Sequence, residues 1–433
     1  MTGIGLTTAR PALSPAGGGV LPLSRVAAVG LGNALEFYDF LTFSFFAIQI
    51  GHCFFPATKT THGLLFSLAT FGAGFLTRPL GGLIIGAYSD RAGRKPAMML
   101  SFILMGAAIT GLALTPSYAQ IGVTAPILLL LFRLLQGFAL GGQVGPSTAF
   151  LIEAAPPLRR GLYVGLQYAT QDLAVLVAGV VGFTLSSLLT PTALDVWGWR
   201  LAFLLGASIV PLGVFIRRGL PETLEPRDRA APSRTPIRPH ARILVLGLCM
   251  LATTGITNYV LEYTTTYAQD SLHLAPSLAF GSTIVLGLFT MVCDVLSGLL
   301  TDRAGRKPVM LTAVVLMLLL TIPLYAAMIR WPSVWVIYGA MATMSILNGF
   351  FSGPALIGIT ETLPKAVRSG GLGTLYAVAM ATFGGSTQVV VKALTDLTAN
   401  PLAPAWYLTG ALAVGAFAMA LFRESAPVKT GRI

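Results

Sequence analysis

The sequence predicts an all-α membrane protein with twelve transmembrane helices in two six-helix pseudo-repeats, and three observations carry that expectation. Hydrophobic residues make up 55% of the 433 residues and charged residues only 10%, whereas soluble domains carry about 25% charged residues. So few charges cannot cover a water-facing surface. Mainly apolar runs of about 20 residues, the length that crosses a bilayer as a helix, recur along nearly the whole chain. The segment DRAGRK occurs twice, beginning at Asp90 and at Asp302, each time between long apolar runs.

Taken in order, Gly, Pro and charge divide the apolar sequence into spans at 25–54, 62–88, 97–114, 121–152, 161–189 and 200–216. Six more are predicted at 243–267, 278–300, 309–328, 334–359, 371–394 and 405–422. The segment 217–242 is rich in Arg and Pro, lacks a long apolar stretch and reads as a polar linker. The expected organisation is therefore a tail over 1–23, a bundle over 24–216, the linker, a second bundle over 243–423 and a short tail over 424–433. The Gly-, Pro- and Ala-rich start lacks the charged, apolar and cleavage regions of a signal peptide.

Net charge is +12, which in a soluble chain would suggest nucleic acid. Here the basic residues sit in the connections between spans, so they read as topology signals and no nucleic-acid partner is expected. Placing both termini in the cytoplasm puts nearly all Lys and Arg on that side, as the positive-inside rule requires. Lys59, Arg200 and Arg330 fall on the other side, and Arg78, Arg133 and Lys392 fall inside spans. Cys53, Cys249 and Cys293 show neither a pairing pattern nor metal-site spacing. The Gly-rich stretches follow no strand and lack a Lys-Ser/Thr ending, so they suit close helix packing rather than phosphate binding. No catalytic triad, metal cluster or cofactor site is evident. The expectation is a monomeric, non-enzymatic protein of the lipid bilayer whose work is driven by a gradient.

The two halves also match beyond DRAGRK. Glu153, Pro156 and Arg160 after the fourth span answer Glu361, Pro364 and Arg368 after the tenth, at nearly the same separation. Repeats in the same order imply parallel halves related by an axis along the membrane normal, with substrate bound between them near mid-membrane. Asp90, Arg91 and Arg94, with Asp302, Arg303 and Arg306, form candidate conformational switches together with Glu153, Arg160, Glu361 and Arg368. Each Asp can pair with a basic group or cap a helix in one conformation only. A merely topological role for these basic loops is the alternative.

Ionisable groups inside a membrane cost at least about 2.5 to 3.5 kcal/mol and usually face the protein interior or a watery cavity. The informative residues are therefore few. Asn33, Glu36 and Asp39 share a broad sector of the first span, Arg78 lies deep in the second, and Arg133 and Gln136 share a face of the fourth. Asn33, Arg78, Arg133, Gln136, Tyr168 and Lys392 are candidate substrate contacts, with Glu36 and Asp39 as proton carriers. Structural pairing of each Arg with an acid is the competing reading. Asp172, Glu262 and Asp294 are candidates for buried ion pairs, and Lys392 could bridge to Asp294 or Asp172 or add a third cation. Phe37, Tyr38, Tyr168, Tyr263, Tyr267 and Tyr376 could line a cavity, although aromatic residues in spans more often pack on neighbours. Asn258 and Asn348 suit hydrogen bonds between helices.

Gly86, Asp90, Arg91, Gly93, Arg94 and Lys95, repeated from Gly298 to Lys307, resemble the signature G-x-x-x-D-R-x-G-R-R/K of the major facilitator superfamily. GNALEFYDF, FLTRPLGGLIIGAYSDRAGRKP, RLLQGF, the stretch from WGWRLAF to GLPET, ETLPKAVRSGGLG and ATFGGSTQ narrow the resemblance. Together they look like the metabolite:proton symporter family, closest to its citrate and tricarballylate symporters. That resemblance implies a multi-pass protein of a bacterial-type inner membrane that imports a small anionic organic acid, a di- or tricarboxylate, with protons by alternating access. Where the family often reads G-x-E-x-G, this chain has Gln143. The missing acid keeps open a proton antiporter that exports a drug, siderophore or other metabolite. A sensor on the same scaffold would need an added signalling segment, and both tails are short.

Overall fold

A computed structural model describes residues 34, 37, 38, 40–55, 60–92, 94–141, 155–207, 241–363 and 368–431. Asn33, Glu36, Asp39, Gln143, Glu153 and nearly all of the linker lie outside the described residues, as do the side chains of Asp90, Arg91, Arg94 and Arg368. All regular structure among the described residues is helical.

In the first half, α1 ends as Ala47–Phe54, with helical residues 40–45 before it. Next come α2, crossing the membrane over Gly63–Tyr88, α3 (Arg94–Leu114), α4 (Thr124–Leu140), α5 (Arg160–Leu188) and α6, described over 199–207. The second half comprises α7 (Ala241–Asp270), α8 (Pro276–Ala304), α9 (Arg306–Arg330), α10 (Val334–Thr362), α11 (368–398) and α12 (Ala403–Leu421). The architecture is the twelve-helix bundle that the apolar runs predict. Leu83, Ile84, Leu319 and Phe417 are exposed on the outer faces of their helices, where lipid would cover them.

The helices approach closely wherever glycine removes the side chain. A methyl group at Gly137 of α4 would overlap the Gly74 carbonyl of α2, and one at Gly141 would overlap the Arg78 carbonyl. The same pair of helices meets at Thr77, where α2 interrupts its helical run and the hydroxyl donates to the Leu134 carbonyl of α4 at 2.7 Å. This tight seam fixes the position of Arg78, the residue that follows the break.

Between the halves the most extensive contact joins α5 to α8, and α2 packs on α11 in the symmetry-related manner. The α5–α8 contact runs from Gly161 against Gly298 at one end to Gly182 against the Phe280 ring at the other. The α11 helix contains a π turn at Met380–Gly384, followed by Gly385, whose backbone meets Gly72 of α2. Such wide turns recur at functional sites, and this one sits on the central cavity. Gly137→Ala should cost about 1–3 kcal/mol by overpacking, seen as a lower melting temperature in detergent. Gly339→Ala, with open space around its Cα, should leave that temperature unchanged.

Candidate substrate cavity and gate

Two turns of apolar and polar side chains from six helices converge midway along the bundle and enclose a narrow cavity of about 40 Å3, room for a few waters. From α1 come Phe37 and Leu41, and from α5 come Tyr168, Gln171, Asp172 and Val175. The second half supplies Asn258, Tyr259 and Glu262 of α7, Thr290 and Asp294 of α8, Asn348 and Ser352 of α10, and Tyr376 and Met380 of α11. A hydrogen-bonded row stiffens one wall: Asn348 Nδ2 donates to Asn258 Oδ1 at 2.6 Å and Ser352 Oγ donates to Asn348 Oδ1 at 3.0 Å. Asn258 and Asn348 therefore form the inter-helix bond that their polarity suggests, and they face the cavity as well.

The two arginines of the first half reach the same aromatic cluster. The guanidinium carbon of Arg78 lies 4.3 Å from the Phe40 ring centre and 4.1 Å from that of Phe75. That of Arg133 lies 4.2 Å from Phe40, 4.5 Å from Phe43 and 5.0 Å from Phe71. Cation–π attraction of this kind contributes about 2 kcal/mol or more per pair when water is excluded. Arg133 is fully buried and also donates to Gln136 Oε1 at 2.7 Å and to the Phe40 and Phe71 carbonyls at 3.3 Å. Its bonds go to neutral groups. Arg78 is also buried, and two of its nitrogens, Nε and Nη2, have no hydrogen-bond partner, against Nε alone for Arg133. Arg78 is not among the lining residues but bonds to Tyr259 of the cavity wall and stands within electrostatic reach of Glu262 and Tyr376, just behind the edge of the cavity.

Three carboxyls occupy the cavity wall. Asp172 of α5 and Asp294 of α8 face each other across the junction of the halves, close enough to interact directly. Neither oxygen of Asp294 makes a hydrogen bond of ordinary geometry, and Glu262 Oε2 is likewise unpartnered. No Lys or Arg salt bridge to these three acids occurs among the described residues; Arg78 is the cation nearest to hand, acting on Glu262. Two ionised carboxylates about 4 Å apart at an effective dielectric of 20 repel by about 4 kcal/mol. The expected buried ion pairs of Asp172, Glu262 and Asp294 are absent among the described contacts, and the acids meet one another instead.

At the end of the bundle that carries DRAGRK, the second copy forms a lock. Asp302 caps α5 in the other half, accepting from the Gly161 N–H at 2.8 Å and the Leu162 N–H at 3.0 Å, where the helix dipole favours an anion. Arg306 joins Asp302 at 2.7 Å to Glu361 at 3.1 Å, and Arg160 of the first half approaches Glu361 at 3.9 Å. Arg303 is exposed beside this lock. The chain beyond α12 adds a clamp: Glu424 accepts from the backbone N–H groups of Arg306, Lys307, Ser425 and Ala426 at 2.9–3.0 Å. Burial alone would push the Glu424 carboxyl up, but these four N–H donors outweigh it and hold it below the ordinary range. At the opposite end, Lys392 of α11 binds Asp270 at 2.9 Å and Asp396 at 2.7 Å.

Of the residues singled out from sequence, Tyr168, Asp172, Glu262 and Asp294 lie together on the cavity and Arg78 stands at its edge. Arg133 and Gln136 bind each other in the aromatic cluster, and Lys392 is held by Asp270 and Asp396 rather than by Asp294 or Asp172. Phe37 and Tyr376 line the cavity, whereas the Tyr38 and Tyr267 hydroxyls donate to the Ala202 and Pro401 carbonyls. Tyr259 is a lining residue that the sequence did not single out. Its place one residue after Asn258 and three before Glu262 in a polar stretch of α7 is the signal that could have marked it.

Two outcomes follow from the lock. Asp302→Asn keeps the shape but weakens the charged cap on α5, so a cysteine replacing Gln171 on the cavity wall should react at least several-fold faster with a water-soluble maleimide than in the otherwise unchanged protein. Glu424→Gln should lower the melting temperature at neutral pH. Because the folded carboxyl is held low, its contribution is full above the ordinary glutamate value of about 4.3 and is lost as pH falls through the lower folded value. The difference in melting temperature between the two proteins should therefore shrink on acidification.

The comparisons with known proteins agree with this fold. The profile of the Major Facilitator Superfamily matches residues 29–389. The citrate-proton symporter of Klebsiella pneumoniae is 34% identical over 411 residues, covering 93% of each chain, and the alpha-ketoglutarate permease of Escherichia coli K12 is 34% identical over 405 residues, covering 92% of each. The crystal structure of a D-xylose-proton symporter superposes with a TM-score of 0.78 at 19% identity, over 94% of this chain and 99% of that one; at that identity the likeness concerns the fold. With a family profile over most of its length and relatives at one-third identity across nearly the whole chain, the protein belongs to the Major Facilitator Superfamily of membrane transporters.

Proposed function

We propose that the protein imports a small di- or tricarboxylate such as citrate or tricarballylate together with protons, by alternating access. The observation that carries this reading is Arg78, a buried guanidinium at the cavity edge with two nitrogens unpartnered and no acid bound to it among the described contacts. An unsatisfied buried charge is costly, and a substrate carboxylate would relieve it with a bidentate, charge-assisted pair. Citrate and α-ketoglutarate, the substrates in the names of relatives one-third identical, are both carboxylates.

The cavity is too small for such a substrate with α5 and α8 packed along their length, which suits a closed intermediate between two open states. Opening on the DRAGRK side, which the positive-inside rule makes cytoplasmic, requires Asp302 to leave the N-terminus of α5. Asn33, Gln136 and Tyr168 are candidate polar contacts, Arg133 holds the aromatic floor on which Arg78 rests, and Glu36 or Asp39 offers a first proton site. Lys392, already held by two acids, serves the closed end of the bundle in this state. The names of the relatives speak for symport rather than for the proton antiport that Gln143 kept open.

Right-side-out vesicles under an imposed inward pH gradient should accumulate labelled citrate, tricarballylate or α-ketoglutarate, and a protonophore should abolish the accumulation. Arg78→Ala should reduce kcat/KM for uptake at least 100-fold, with Arg78→Lys recovering little because a point charge lacks the bidentate fork. Failure of wild-type protein to take up any di- or tricarboxylate would overturn the substrate assignment.

A further inference from the structure

The acids on the cavity wall create a difficulty for an anion transporter. A carboxylate substrate reaching Arg78 enters a space faced by Asp172, Glu262 and Asp294, and all three lie on or beside the surface where the two halves meet. Asp294 is almost wholly buried and has both oxygens unpartnered; Glu262, on another helix, presents a third unpartnered oxygen to the same cavity. Arg78 is an independent pointer to an anion beside them, being a buried cation with two nitrogens free of hydrogen bonds and within electrostatic reach of Glu262. One guanidinium cannot neutralise three carboxylates and a multivalent substrate together.

The placement of the Asp pair adds a mechanical element. Asp172 belongs to the first half and Asp294 to the second, so rocking of the halves changes their separation. Beside them the backbones of α5 and α8 are in contact, a methyl group at Gly165 lying only 2.5 Å from the Asp294 carbonyl oxygen. The pair cannot relax apart while that seam is closed. Other titratable or charged groups around it are Tyr168 on α5, Tyr259 and Glu262 on α7, Cys293 on α8, Tyr376 on α11 and Arg78 on α2. The side chains of α10 that face the cavity, Asn348 and Ser352, are neutral, and Phe37 and Leu41 represent α1 among the described residues.

From this geometry we infer that Asp172 and Asp294 form a second proton site, in which one proton shared across the junction of the halves permits closure around an anionic substrate. The inference rests on the proposed organic-acid symport. The proton arrives from water on the outer side and adds to one carboxylate of the pair, converting a repulsive contact into an O–H···O bond. When the halves part on the cytoplasmic side the bond breaks and the proton passes to water as the substrate leaves; with the substrate anion gone, Arg78 offsets the charge of the acids and the emptied halves close again without a proton. Glu262 lies next to the pair and opposite Arg78, and sets the charge against which the substrate carboxylate competes. Anion binding and proton binding are then linked, each raising the affinity for the other by the same factor.

Two measurements test this separately from the identity of the substrate. Infrared spectra of purified wild-type protein at neutral pH should show a protonated carboxyl C=O band that shifts in D2O, and Asp172→Asn and Asp294→Asn should each remove it, because the proton belongs to the pair. No such band in the wild type, or a band untouched by both substitutions, would overturn the proposal whether or not any carboxylate is transported. In proteoliposomes with the membrane potential clamped at zero and an inward gradient of one pH unit, each variant should accumulate citrate about tenfold less than wild type at steady state, the loss of one coupled proton. Wild-type accumulation by both variants would also overturn the proposal, whereas absence of citrate transport in the wild type would count against the substrate assignment and leave the infrared result to decide the proton site.

Discussion

The backbone contact between α5 and α8 is the constraint on which the rest of the molecule depends. These helices come from different halves and touch where glycine at 161, 165 and 298 leaves the main chains bare. In hydrocarbon no hydrophobic force draws helices together, so close packing and polar bonds must do so. Small residues along the seam supply the first, and the Asp302 cap on α5 supplies the second. The closure of the cavity, the burial of its acids and the reach of Arg160 toward Glu361 all follow from that approach.

The seam also separates two electrostatic environments. On the side of α2 and α4, arginine is solvated by Phe40, Phe43, Phe71 and Phe75 and by backbone carbonyls, without a counter-charge among the described contacts. On the side of α5, α7 and α8, carboxyls face one another. Positive and negative groups are thus kept in adjacent compartments rather than neutralised in pairs. A transporter benefits from this arrangement, because fully satisfied pairs would give a ligand nothing to complete. Lys392 illustrates the contrast: flanked by two aspartates, it stabilises the end of α7 against α11 and offers no open valence.

Much of this was legible in the sequence, for identifiable reasons. Span number follows from apolar length, and the doubled Asp90 and Asp302 segments reveal the two-fold plan. Rarity of charge in the membrane pointed to Arg78, Asp172, Glu262 and Asp294 one residue at a time. What the sequence could not supply was their grouping, since that depends on which helix faces meet. Asp172 and Asp294 looked like halves of ion pairs because an acid in lipid usually has a base nearby, yet here the neighbouring helix brings another acid. Lys392 read as a partner of Asp294 or Asp172 or as a third cation for the substrate, although Asp396, four residues on, was available at helical spacing. Asp270, at the very end of α7, lies just beyond the span expected at 243–267. The first-span candidates Asn33, Glu36 and Asp39 stay as the sequence presented them.

The clamp formed by Glu424 has a consequence for how the protein is made. Its partners, the Arg306 and Lys307 amides, open α9 and adjoin the side chain that ties Asp302 to Glu361. During synthesis those amides leave the ribosome long before residue 424 does. The turn between α8 and α9 therefore waits, incompletely bonded, until the last helix has been inserted and its exit has folded back. The clamp is thus completed only when a residue 118 positions further along the chain has emerged, well after the turn that it closes.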